Sequence, residues 1–168
     1  MSKKSKITKS RRRKKISRPE TRLRRKIIKF LNKKQPPYGP VLRVRDQCGP
    51  AEYGADLIVV AMDFFDKPRA YGIQIKVGDI SCQGKPTNKI KELVGQAVIA
   101  LGKSILVDEV EYKIDGFYIV VDGELRGKAN DYLMAARIGI RSIHIIGKDS
   151  LKEMFGRKKP ISSRFEET

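Results

Sequence analysis

The chain has a single histidine, His144, and only two cysteines, Cys48 and Cys82, among its 168 residues. One imidazole excludes a Ser-His-Asp site elsewhere in the chain and any metal centre built from several histidines. His144 lies in the apolar run Ile143-His144-Ile145-Ile146 and reads as a strand residue with a satisfied ring. The cysteines form neither a C-x-x-C pair nor part of a ligand-rich cluster, which suits a reducing cytoplasm better than a disulfide framework. Long apolar runs are also missing: none approaches the roughly 18–20 residues that span a bilayer. The basic start of the chain leads into no apolar core or small-residue cleavage site, so a secretory signal is not expected.

Acidic residues are almost absent from the first quarter. Residues 1–45 carry 19 Lys and Arg against one acid, Glu20, while the remainder is balanced at 18 of each sign. The whole net charge of +18 therefore resides in that leader. A neutral domain behind a strongly basic leader is suited to a polyanion, because phosphate neutralisation with counterion release rewards clustered cations without base-specific contacts. Membrane-surface binding is disfavoured, since residues before Pro19 offer almost no apolar face.

The periodicities divide the chain into a disordered basic tail over 1–18, one α/β domain over 19–156 and a polar tail over 157–168. Pro19 and Glu20 suit a helix entry, and Leu23, Ile27, Phe30 and Leu31 form an amphipathic stripe ended by Pro36-Pro37. Arg22, Arg25, Lys26, Lys29 and Lys33 fall on the opposite face. Val41–Arg45, Asp56–Met62 and Ala70–Val77 read as strands, with the second buried on both faces. A loop follows around Gly78, Asp79, Gly84 and Pro86. Residues 88–100 have helical spacing, Gly116–Val121 reads as a strand, Asn130–Ile138 as a helix and Arg141–Ile146 as a strand. A short helix is expected over Asp149–Phe155. The order α-β-β-β-α-β-α-β predicts a three-stranded antiparallel meander extended by crossover units, in a mixed sheet with helices on both faces.

Three polar residues stand out from these apolar strands. Asp56 opens the second, and Gln74 and Lys76 share one face of the third. A hairpin centred between Phe65 and Asp66 would set Asp56 opposite Ile75. A bulge or a one-residue offset is then needed for the three to converge. Buried polar groups need partners, and a carboxylate with neutral oxygens is a donor set that Mg²⁺ accepts. An adjacent lysine can act on the attacking water or offset charge at a phosphate.

Gly54-Ala55-Asp56 followed by Gln74-Ile75-Lys76 resembles the PD-(D/E)xK nuclease signature, in the form found in Mrr-like restriction endonucleases and archaeal Holliday-junction resolvases. The resemblance spans residues 19–121 and implies a restriction-endonuclease-like α/β fold. It also implies a Mg²⁺-dependent (or Mn²⁺-dependent) endonuclease acting on DNA, structure-selective or weakly sequence-specific. Asp56 would be the metal carboxylate, with Gln74 and the Ile75 carbonyl as neutral ligands. Lys76 would act on the nucleophilic water, and Glu20 and Gln96 would support the metal or its water. The sequence departs from the family's name in two places: Ala55 precedes the aspartate, and Gln74 replaces the commoner acid. The resolvase likeness would further imply a homodimer. Arg11, Arg12, Arg13, Lys14, Lys15, Arg18, Arg22, Arg25, Lys26 and Lys29 are the expected phosphate contacts, with DNA favoured over RNA and a nucleoid location in a prokaryote.

Other assignments compete. Glu20 can instead complement the helix dipole or pair with Arg24, Lys76 can pair with Asp79, and Glu52 or Asp79 can replace Glu20 as a second carboxylate. A catalytically inactive nucleic-acid-binding relative is the principal alternative function, and an RNA-associated basic protein is a third.

Overall fold

Alternation of apolar residues sets up two cores, one on each face of a mixed sheet. In the computed structural model, which describes residues 18–33, 40–47, 54–140 and 142–156, the strand Leu57–Met62 (β2) sends Leu57 and Val59 to one core and Ile58 and Val60 to the other. It pairs antiparallel with Val41–Asp46 (β1) and with Pro68–Val77 (β3), forming the expected meander. β3 then pairs in parallel with the long strand Val110–Asp122 (β6), which is parallel in turn to Ile143–Ile146 (β8). The sixth strand, Ser104–Val107 (β5), forms a hairpin with the first part of β6.

The helix Pro19–Lys33 (α1) and the helix Lys148–Gly156 (α4) cover one face through Leu23, Ile27 and Leu151. Asn88–Leu101 (α2) and Ala129–Gly139 (α3) cover the other through Ile90, Leu93, Ala97 and Leu133. Helices on both faces explain why β2 and β3 read as near-continuous apolar runs. Gly72 lets β3 and β6 close up: a Cβ there would come within 2.6 Å of the fully buried Phe117 ring on β6. Among the described residues no helix is long and apolar enough to cross a membrane.

The structure corrects the sequence reading in three places. Residues 80–82, read as loop, and 125–127, which had no assignment, form a small parallel pair, Ile80–Cys82 (β4) with Leu125–Gly127 (β7). β5 and the first half of β6 were not expected either. Their turn, Asp108-Glu109, has both residues at positive φ (49° and 67°), the geometry of a two-residue hairpin turn that Asn-Gly or Asp-Gly usually provides. Without glycine the turn has no sequence signal. The tails over 1–17 and 157–168 lie outside the described residues.

The β2–β3 loop sets the third correction. Met62 pairs with Pro68, so the loop holds the five residues 63–67. Asp63 organises it by accepting hydrogen bonds from the Phe65 and Lys67 amides, with Asp66 at φ 55°. An odd loop length moves the register by one residue from the symmetric hairpin, and Leu57 faces Ile73.

His144 stacks on Tyr118 at 4.8 Å between ring centroids. Burial, with the nearby charge of Arg137, holds the imidazole below its ordinary value of 6.5. The unfolded chain therefore takes up the proton first. The contribution of neutral His144 to stability is complete above pH 6.5 and is lost as pH falls through the lowered value. Denaturant unfolding at pH 7.5 and 5.5 should show wild type losing more stability on acidification than His144→Asn; equal losses would contradict this.

Candidate functional site

The site lies where β2 ends and β3 continues. β2 pairs with β3 only as far as Leu57 opposite Ile73, whereas β3 stays paired with β6 through Val77. The β2-side edge of β3 is thus open from Gln74 onward. Asp56 fills its beginning: its backbone N–H donates to the Ile73 carbonyl at 2.7 Å, and its Oδ2 accepts from the Ile75 amide at 2.6 Å. A carboxylate takes the place of the strand that is no longer there. The ladder turns irregular at Asp56: its amide bonds the carbonyl of Ile73, the residue already opposite Leu57, as at a β-bulge, and its carboxylate reaches one residue further to Ile75.

Each helical layer contributes to this notch. From α1, Arg24 reaches Asp56 Oδ1 at 3.3 Å through one guanidinium nitrogen and Asp46 Oδ1 at 3.0 Å through the other. From α2, Gln96 accepts a hydrogen bond from Gln74 Nε2 and donates one to Glu92 Oε1 at 3.2 Å. Gly54, two residues before Asp56, makes room for this helix: it has φ 74°, and a Cβ on it would come within 2.6 Å of the Gln96 Cβ. Glycine is required there both for the backbone and for the space.

Gln74 is the only buried polar or charged residue among the described residues, 3% exposed, and its Oε1 has no hydrogen-bond partner. An unmet buried acceptor costs about 1–3 kcal/mol, so something must be gained by keeping it. Ile75 adds a further oxygen. The N–H and C=O of one strand residue point to the same edge, so the Ile75 carbonyl faces the open side on which its amide meets Asp56. Asp56, Gln74 Oε1 and the Ile75 carbonyl are all hard oxygens, suited to a small divalent cation that retains several waters. Among the described residues no three His, Cys, Asp or Glu side chains cluster to share a metal, so the set is one carboxylate with neutral oxygens.

Lys76 is half-buried on the Gln74 face of β3 and makes no ion pair among the described residues; Asp79 is engaged instead by Arg126 at 2.8 Å and by the Glu124 amide at 2.9 Å. Asp79 is therefore committed outside the notch, where those partners hold its carboxyl below the usual range. Glu20 occupies the first turn of α1, one turn before Arg24. Among the described residues no ion pair joins it to Arg24, and no hydrogen bond joins it to Asp56, Gln74 or Lys76. Glu52 and Arg11–Lys15 lie outside the described residues. Arg18, Arg22, Arg25, Lys26 and Lys29 are exposed on or just before α1, the helix that delivers Arg24.

No family model, curated protein or solved structure matches this chain.

Sequence reasoning missed Arg24 and Glu92. Arg24 falls next to the apolar stripe and off the exposed basic face, which is the one signal it leaves. Glu92 precedes Gln96 by four residues, the spacing that brings two side chains together on a helix. A hollow of about 250 Å³ lies under α1 and α4, lined by Ile27, Tyr71, Tyr118 and Met154 among other side chains, and Arg24, Asp56, Gln74, Lys76 and Gln96 are not part of it.

If Asp56 serves the β3 edge chiefly as an acceptor, Asp56→Asn should keep the Ile75 bond and lose little stability. Asp56→Ala should lose about 1–3 kcal/mol, because it strands a buried amide. Urea unfolding at neutral pH checks this. An Asn variant as unstable as the Ala variant would make the ion pair with Arg24 the dominant contact.

Proposed function

We propose that the protein is a Mg²⁺-dependent nuclease that hydrolyses phosphodiester bonds in DNA, with its active site in the notch between β2 and β3. The observation that carries this reading is the buried, unpartnered Oε1 of Gln74, one residue from the amide that Asp56 engages. An acceptor kept at such cost beside a carboxylate is the mark of a site that takes a cation. The order α1, antiparallel β1–β3, α2 and a strand parallel to β3 supports the PD-(D/E)xK resemblance, as does the hydrogen bond that sets the Asp56 carboxylate against Ile75, between Gln74 and Lys76.

Asp56, Gln74 and the Ile75 carbonyl would hold the metal, which when bound would supply Lewis-acid polarisation of the phosphate and an activated water. Lys76, on the Gln74 face, would orient that water or offset charge on the phosphoryl oxygens as the new bond forms. Gln96 would fix Gln74. Arg25, Lys26 and Lys29, exposed on the helix that reaches Asp56, would hold flanking phosphates together with the leader. Contacts of that kind position the duplex without reading sequence, so selection by DNA structure is the expected behaviour.

One observation favours an inactive binder with the same surface: Arg24 already pairs with Asp56, and among the described residues no three His, Cys, Asp or Glu side chains group to hold a metal. Metal dependence separates the two. Labelled linear, single-stranded and branched DNA, with RNA controls, should be cut by wild type in Mg²⁺ or Mn²⁺ and left intact in EDTA. Lys76→Ala should cut roughly 100-fold more slowly or worse while binding unchanged. Tight binding with no cutting of any substrate would establish the binder, and preferential cutting of RNA would reassign the substrate.

A further inference from the structure

The two ends of a carboxamide are nearly the same size but opposite in hydrogen-bonding sense. Strand geometry alone would let Gln74 turn either its oxygen or its NH₂ toward Gln96. The direction is decided two residues away. Glu92 is exposed at the start of the series, and its carboxylate, when ionised, can only accept. Gln96 must therefore give it the NH₂ group, as it does at 3.2 Å, and turn its own oxygen inward. That oxygen in turn accepts only from the NH₂ of Gln74. Gln74 has then no choice but to leave its oxygen as the free, buried acceptor. Gly54, lacking a Cβ, leaves Gln96 the space it occupies beside the loop before Asp56.

We propose that Glu92 is a positioning residue whose negative charge sets the direction of a two-amide relay, Glu92–Gln96–Gln74, and so presents Gln74 to a bound cation as an oxygen ligand. The proposal rests on the metal reading above. It assigns the second acid of the site a place outside the ligand sphere. A neutral amide can then serve where a carboxylate would do so without help. Glu92→Gln removes the direction, because a glutamine at 92 can meet Gln96 with either group. Gln96→Met removes the connection and keeps the side chain's length.

The test is Mn²⁺ binding, followed by calorimetry, for wild type, Glu92→Gln, Gln96→Met and the double variant, with thermal melting of the same four proteins in EDTA. Each single variant should bind Mn²⁺ roughly tenfold more weakly, and the double variant no more weakly than either. Melting should show the same lack of additivity. Losses that add would mean that Glu92 acts on the cation through space, and an unchanged affinity in Glu92→Gln would remove its role; either result overturns the relay. If wild type binds no Mn²⁺ while melting still couples the two positions, the relay stands and the metal reading falls. If wild type binds Mn²⁺ and the losses add, the reverse holds.

Discussion

Everything distinctive in this fold follows from the hydrogen bond between the Ile75 amide and the Asp56 carboxylate. β3 outruns β2, and an open strand edge beside a buried core must find acceptors for its amides. Asp56 supplies one with a side chain, which leaves room where a strand would have filled the space. The negative charge comes with that choice. It draws Arg24 down from α1 and ties β1 to the arrangement through Asp46. The notch, its negative charge and the Arg24 contact from α1 thus meet where one strand ends early.

The two faces of the sheet treat this notch differently. On the α1 side the partner is a cation shared between two carboxylates. On the α2 side the partners are amides handed from one to the next, ending in an oxygen with nothing to accept from. Under the proposed nuclease reading, the carboxylate and the unmet oxygen would take a divalent cation, with modest affinity because a neutral ligand adds no charge, and the basic face of α1 would meet the phosphates.

Much of the architecture was legible because it is written in periodicity. The stripe Leu23, Ile27, Phe30 and Leu31 marked α1, the double-faced apolar run after Asp56 marked β2, and the polar pair Gln74 and Lys76 marked one face of β3. The register was legible only to within one residue, since it depends on how Asp63 and Asp66 fold a five-residue loop, and a tertiary hydrogen-bond pattern has no period. β4, β5 and β7 escaped because they are three or four residues long, below the length at which alternation stands out. At the site, Asp56 and Gln74 were found as polarity in apolar surroundings, and Gln96 only through the nuclease resemblance. Arg24 and Glu92 were not, because each sits in a helix where a charged residue needs no explanation until its partner is seen.

The central claim is that a divalent cation binds in the notch, and paramagnetic broadening tests it most directly. Adding substoichiometric Mn²⁺ to ¹⁵N-labelled protein should erase the backbone amide signals of Asp56, Gln74, Ile75 and Lys76 before any others, and Asp56→Asn should abolish that selectivity. Broadening that begins instead around the exposed acids Asp108, Glu109 and Glu111, with the notch signals intact, would contradict the account.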